Sequence, residues 1–159
     1  MKKDISLIIP TNTNNFYIID ILTNISMWSV YPSEIIIINT SKMKIKLENY
    51  LKNKFKKKKI KIKIINKKNF FPGAARNVGI TASNFKYIAF LDMNTVPYNK
   101  DWLKSNFNLI KQKKLDGVFG RTIYLVSNFK EKIIVSSTYG LKSLRTIPGS
   151  IFKKKLIKE

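Results

Sequence analysis

Between residues 5 and 91 the chain alternates short apolar runs with segments of helical period, and this alternation constrains its fold more than any other feature. The apolar runs lie at 5–9, 34–38, 60–65 and 87–91. In the first interval, 15–30, apolar residues fall at 18, 21, 22, 25 and 28, one helical stripe, with Thr13 or Asn14 placed to cap it and Pro32 beyond its end. A weaker helix is expected over 43–55 and a third over 72–83. Strand followed by helix is the rhythm of parallel crossover units, because parallel neighbours need a connection long enough to return across the sheet. The expectation is an α/β domain with a mostly parallel central sheet flanked by helices. A helix over 101–114 follows, then β-rich stretches at 117–126 and 132–138, and Pro148-Gly149-Ser150 is expected to open a basic tail. No repeat, linker or low-complexity boundary interrupts residues 1–159, which read as a single domain.

Composition narrows the chemistry. With 159 residues, 44% of them hydrophobic and 12% aromatic, the chain can bury a sizeable core and is no disordered polymer. It contains neither cysteine nor histidine, which excludes disulfides, thiol nucleophiles, imidazole bases and zinc sites built on either residue. Carboxylates, hydroxyls, amides, lysines and three arginines remain. The opening segment is broken by Asp4 and closed by Pro10, too short for a secretory signal, and no apolar run approaches the ~18 residues of a membrane span. A cytoplasmic chain is expected.

The net charge of +22 has competing readings. Ten of the seventeen residues from Lys52 to Lys68 are lysine, and heavy joint use of lysine, isoleucine and asparagine is what an AT-rich coding sequence produces whatever the function. In "KIKIKII" lysines alternate with isoleucines, as in an edge strand whose charges block edge-to-edge pairing. The sharper reading is attraction to a polyanionic acceptor or to the anionic inner face of a membrane, with the protein bound peripherally. No specific nucleic-acid partner is expected, since the run lacks interleaved aromatics for stacking and arginines for bidentate base contacts.

In an open α/β sheet, ligands bind outside the carboxyl ends of the strands. The residues there are Pro10-Thr11-Asn12, Asn39-Thr40-Ser41, Asn66-Lys67 and Asp92-Met93-Asn94, a set rich in groups that hydrogen-bond a base and a sugar. In "FFPGAARNVGITAS", Pro72 pre-sets a first helical turn, the small residues after it keep the backbone accessible, and free N–H groups with the positive end of the dipole favour an anion. Arg76 adds a planar charged donor. The plainer reading is a helix start whose alanines and Gly79 permit close packing on the sheet. Asp92 closes the run "YIAFL", where desolvation makes an unpaired charge expensive, so a partner is required unless the carboxylate caps the turn into Thr95-Val96-Pro97.

The segments "SLIIPTN", "EIIIINTS", "PGAARNVGI" and "KYIAFLDMNTVPYNKDWL", in that order and at these separations, resemble the nucleotide-binding half of family 2 glycosyltransferases with the Rossmann-like GT-A fold. A fainter likeness in "PGSIFKKKLIKE" corresponds to the segment that introduces the acceptor side. The resemblance implies that Pro10 and Thr11 line the base pocket, Asn39 holds the base or ribose, and Arg76 approaches the nucleotide. By the same resemblance Asp92 begins the family's Asp-x-Asp motif, so a nucleoside diphosphate sugar with Mg²⁺ or Mn²⁺ on its diphosphate would compensate the charge, with Asp92 and Asn94 as metal ligands. Two departures stand out: the family usually has aspartate where this chain has Asn39 and Asn94, and an amide brings no charge to a metal. The family's catalytic base, a carboxylate usually found in a later Glu-Asp pair, has no counterpart before Glu159, so a C-terminally incomplete domain is expected. The implied activity is transfer of a sugar from a nucleoside diphosphate to a hydroxyl of a saccharide or lipid-linked acceptor, in polysaccharide or glycolipid synthesis. The rivals are a non-catalytic nucleotide-sugar or polyanion-binding module and a basic nucleic-acid-binding protein, which would show steeply salt-dependent affinity without competition by nucleoside diphosphates.

Overall fold

A computed structural model of the chain describes residues 2–12, 15–42, 44, 45, 47, 49–68, 70–122 and 144–157. In chain order the elements are β1 (Lys2–Thr11), α1 (Asn15–Ser26), β2 (Tyr31–Asn39), α2 (Asn49–Lys57), β3 (Lys61–Asn66), α3 (Pro72–Ala82), β4 (Tyr87–Phe90), α4 (Trp102–Gln112), β5 (Gly117–Thr122), β6 (Leu144–Lys153) and a 3₁₀ turn at Lys154–Leu156. The described strands form one sheet in the order β3-β2-β1-β4-β6-β5. The first four are parallel, and β6 runs antiparallel between β4 and β5. Thr13, Asn14, Met43 and the expected strand at 132–138 lie outside the described residues.

The apolar runs at 5–9, 34–38 and 87–91 are buried on both faces, as parallel strands covered by crossover helices must be. Ile5, Leu7 and Ile9 of β1 and Ile35 and Ile37 of β2 point into a core shared with Ile18, Leu22 and Ile25 of α1, Leu51 and Phe55 of α2, and Leu103 and Phe107 of α4. The residues between them, Ile8, Ile36 and Ile38, meet Ala75 and Ile80 of α3 on the opposite face. Crossover handedness explains the split. The path from β1 to β2 to β3 advances in one direction along the sheet, whereas β3 to β4 doubles back past β2 and β1, and a right-handed crossover in the reverse direction must lay its helix on the other face.

β3 is an edge strand, with Lys61 and Lys63 exposed and Ile62 and Ile64 half-buried, so the charged side of "KIKI" faces water as expected for a protected edge. Two boundaries differ from the sequence reading. α1 ends at Ser26 rather than reaching residue 30, because the Ser26 hydroxyl donates to the Thr23 carbonyl and the Trp28 indole donates to Asn24 Oδ1, folding the last turn back on itself. Pro148-Gly149-Ser150 opens no tail: it lies inside β6. The pairs Val118↔Ile151 and Gly120↔Thr146 span residues 118–120 on β5 against 146–151 on β6, so β6 bulges. Gly149 supplies the φ of +81° that the bulge needs, and buried Ser150 accepts the Gly120 N–H on its hydroxyl at 2.8 Å. This local compensation, invisible to periodicity, carries a proline through a strand interior.

Candidate functional site

The sheet opens between β1 and β4, and Pro10 marks where. The last bond joining the two strands runs from Leu91 N–H to the Ile8 carbonyl at 3.1 Å; the next in a parallel ladder would require an N–H on Pro10, which proline lacks. On the other side the ladder continues, with Thr40 N–H donating to the Thr11 carbonyl at 2.8 Å. The carboxyl ends of β1 and β4 therefore separate at the point where the order of connection reverses, the place where open α/β sheets bind ligands. A cleft of about 150 Å³ lies there, lined by residues that include Pro10, Thr11, Thr40, Phe70, Asp92 and Asn94. That volume falls below the ~300–1,000 Å³ of pockets that enclose a drug-sized ligand, so the cleft can seat part of a ligand while the rest extends outward.

α3 aims its amino terminus at this opening. Pro72 occupies the first turn, Phe71 provides no side-chain cap, and a Cβ added at Gly73 would have nothing within 4 Å, so the backbone of the first turn is approachable. Behind it Gly79 seats the helix on the sheet: a Cβ there would lie 2.5 Å from Ile8 Cγ2. One turn into α3, Arg76 Nη2 donates to Asp92 Oδ1 at 2.6 Å, with the side chains 15% and 31% exposed. Arg76 Nε is buried without a hydrogen-bond partner. The partner that the position of Asp92 demands is thus, in this structure, a guanidinium delivered by α3. The turn after Asp92 is closed by its backbone, Thr95 N–H to the Asp92 carbonyl at 2.9 Å, which leaves the carboxylate for Arg76.

Of the residues singled out in the sequence, Pro10, Thr11, Asp92 and Asn94 line the cleft and Arg76 meets it through Asp92. Asn39 does not line it. Buried at the end of β2, its amide donates to Asn66 Oδ1 at 2.9 Å while its Oδ1 accepts from the backbone N–H and hydroxyl of Ser41, so its side chain ties β2 to β3 and holds Thr40 forward. Thr11 donates to Met93 Sδ at 3.0 Å, bridging the two strand ends. Phe70, two residues before the proline that starts α3, also lines the cleft, and the sequence reading did not single it out.

Glu34, the acid at the amino end of the "EIIII" run, lies at the far end of the sheet. Burial alone would raise its carboxyl, but donation from Ser6 Oγ at 2.7 Å and from Asn84 N–H at 2.7 Å and Nδ2 at 2.9 Å holds it below its ordinary value. It is a structural carboxylate linking β1, β2 and the turn before β4. Among the described residues no group of three or more acids, histidines or cysteines could hold a metal.

An open helix start, one arginine and one carboxylate surround a switch-point cleft in an α/β domain, and solved structures narrow the class. The chain matches Staphylococcus aureus TarS residues 1–349 with a TM-score of 0.64 at 19% identity, covering 97% of this chain and 48% of that one. It matches the mannosyltransferase PcManGT of Pyrobaculum calidifontis, in complex with GDP-Man and Mn²⁺, with a TM-score of 0.65 at 13% identity, over 99% of this chain and 46% of that one. The fold is GT-A. An uncharacterised glycosyltransferase of Rickettsia conorii is 39% identical over 95 residues, 60% of this chain and 15% of that protein, and one of Rickettsia felis is 37% identical over the same length. The chain therefore spans 15% of these curated relatives and about half of the solved chains. The glycosyl transferase family 2 model matches residues 6–156, and the chain belongs to that family.

Proposed function

We propose that the cleft binds a nucleoside diphosphate sugar and serves transfer of its sugar to a hydroxyl of a saccharide or lipid-linked acceptor. The observation that carries this reading is the meeting of Arg76, Asp92 and the open first turn of α3 at the mouth of β1 and β4. Thr11 and Thr40, whose hydroxyls donate to Met93 Sδ and the Thr11 carbonyl, offer acceptor oxygens and Phe70 an aromatic face to a base and ribose, and the α3 amides with Arg76 offer donors to a diphosphate. A solved TarS structure holds UDP-GlcNAc and has a TM-score of 0.60 to this chain at 20% identity, in accord with such a ligand. In the transfer, the acceptor oxygen forms a bond to the anomeric carbon as the bond to the diphosphate oxygen breaks. The hydroxyl proton passes to a base, for which the described residues offer no candidate beside Asp92.

Asp92 and Asn94 supply one carboxylate and one amide to the same cleft, and Arg76 already occupies one carboxylate oxygen. That donor set fits Mg²⁺ or Mn²⁺ only when diphosphate and water contribute most of the roughly six oxygens. Such an ion, when bound, neutralises charge on the leaving diphosphate.

The test is calorimetric titration with UDP and with GDP, in EDTA and in Mn²⁺. Mn²⁺ should strengthen binding a few-fold in the native chain, more in Asn94→Asp and not at all in Asp92→Asn. Failure of every nucleoside diphosphate to bind overturns the reading. Binding indifferent to Mn²⁺ in both the native chain and Asn94→Asp removes the metal role alone.

A further inference from the structure

The lysines that look scattered in the sequence gather where the parallel strands begin. Lys58 Nζ sits 3.9 Å from the Tyr31 ring centroid, bringing the carboxyl end of α2 to the start of β2. Lys111 Nζ lies 5.0 Å from the ring of Tyr87, bringing the end of α4 to the start of β4. Lys154 donates to the Ser83 carbonyl at the end of α3, and Lys153 pairs with Tyr87 in the sheet. Helix ends that return the chain to the next strand, together with the last residues of antiparallel β6, thus converge on one end of the domain, opposite the cleft.

Positive charge predominates at this end. Lys86, Lys153, Lys154 and Lys155 border a recess of about 360 Å³. Asp116 neutralises Lys153, in a pairing that lowers the aspartate and raises the lysine from their ordinary ranges. Glu34 is buried, Asp4 is exposed, and half-exposed Asp101 follows Lys100, whose carbonyl accepts the Ser29 N–H near Met27. Among the described residues Lys86, Lys113 and Lys114 are exposed and form no ion pair, and exposed Lys155 adds only a weaker attraction to Asp116. Between them stand exposed aliphatic side chains: Leu115 beside Lys114, Leu156 beside Lys155, and Met27 at the end of α1. Exposed Phe70, Phe71 and Tyr98, by contrast, belong to the loops at carboxyl ends of β3 and β4.

We propose that this end docks on the surface of a bilayer containing anionic phospholipid, lysines on the head groups and Met27, Leu115 and Leu156 at the acyl boundary. Aliphatic residues among lysines suit a lipid interface, whereas a nucleic-acid surface would call for aromatic or arginine side chains to stack and read bases. β1 is ten residues long, so at ~3.3 Å per residue the cleft stands about 30 Å above the docked face and opens away from it.

Sedimentation of the full chain with phosphatidylcholine vesicles, with and without phosphatidylglycerol, tests this at physiological ionic strength. Binding should require phosphatidylglycerol. Replacing Lys86, Lys113, Lys114 and Lys155 together by glutamine should weaken it by about 10²–10³-fold, from roughly tenfold or less per surface lysine. Leu115→Ser with Leu156→Ser should also weaken it, at unchanged net charge. A matched variant at the cleft end, with Lys42, Lys44, Lys67 and Lys68 changed to glutamine, should bind within a few-fold of the native chain. Equal losses in the two lysine variants, or undiminished binding in the first, overturns the proposal. So does preference for duplex DNA over phosphatidylglycerol vesicles at equal anionic charge. Circular dichroism of each variant confirms that it is folded.

Discussion

Replacing Arg76 by alanine separates the two roles that the guanidinium plays. Toward a bound diphosphate it offers a charge-assisted hydrogen bond, a class worth about 1.5–3 kcal/mol. Against that gain stands the contact it already makes: Nη2 lies 2.6 Å from Asp92 Oδ1, and a ligand that recruits Arg76 must share or break that bond. With 15% and 31% of the two side chains exposed the pair is partly screened, and such pairs contribute about 0.2–1 kcal/mol. The difference is roughly 0.5–2.8 kcal/mol, so Arg76→Ala should weaken UDP or GDP binding about 2- to 100-fold in EDTA. Asp92→Asn removes the competitor and keeps the shape, and should strengthen metal-free binding about 1.5- to 5-fold. Arg76→Lys keeps the charge but loses the planar fork, and should fall between alanine and the native residue. Isothermal titration in EDTA reads all three, with thermal melts to show that each variant is folded. Unchanged affinity in folded Arg76→Ala would refute the reasoning, because it would leave the pair as a structural tie with no part in binding.

Glu34→Ala should cost about 1–3 kcal/mol in urea denaturation, since it strands the buried Ser6 hydroxyl, whereas exposed Asn84 can turn its two donors to water. Its folded carboxyl is held below its ordinary value, so its stabilisation is complete above that ordinary value and is lost as pH falls through the folded one; Glu34→Gln should lack this acid-side loss, and an identical pH profile would contradict the assignment. Gly120→Ala would place a Cβ 2.2 Å from the Pro148 carbonyl oxygen, a backbone atom with little freedom to move. It should destabilise the β5–β6 pairing by about 2–3 kcal/mol, toward the upper end of overpacking costs, and native stability would show that the bulge can relax.

Helix and strand positions were legible because burial imposes short periods: four isoleucines in a row must be covered on both faces, and α1 shows its apolar stripe every third or fourth residue. The same locality placed Pro10, Thr11, Asp92 and Asn94 in the cleft, since a polar residue that ends an apolar run sits at a strand mouth wherever that strand lies in the sheet. Relations between distant segments were not legible in this way. Asn39 also ends an apolar run, but β3 pairs beside it and Asn66 engages its amide, so it turns inward. The partner of Asp92 depends on β3 connecting back across the sheet to β4, which puts α3 on the opposite face and swings Arg76 over the carboxylate. Pro148-Gly149-Ser150 looked like the start of a tail because its strand character exists only through Gly120 and the bulge it faces. Periodicity and strand-end chemistry are short-range properties carried by neighbouring residues. Strand order, the face each helix takes and the pairing of buried polar groups arise from crossover handedness and from desolvation, which act only once segments far apart in the chain are in contact.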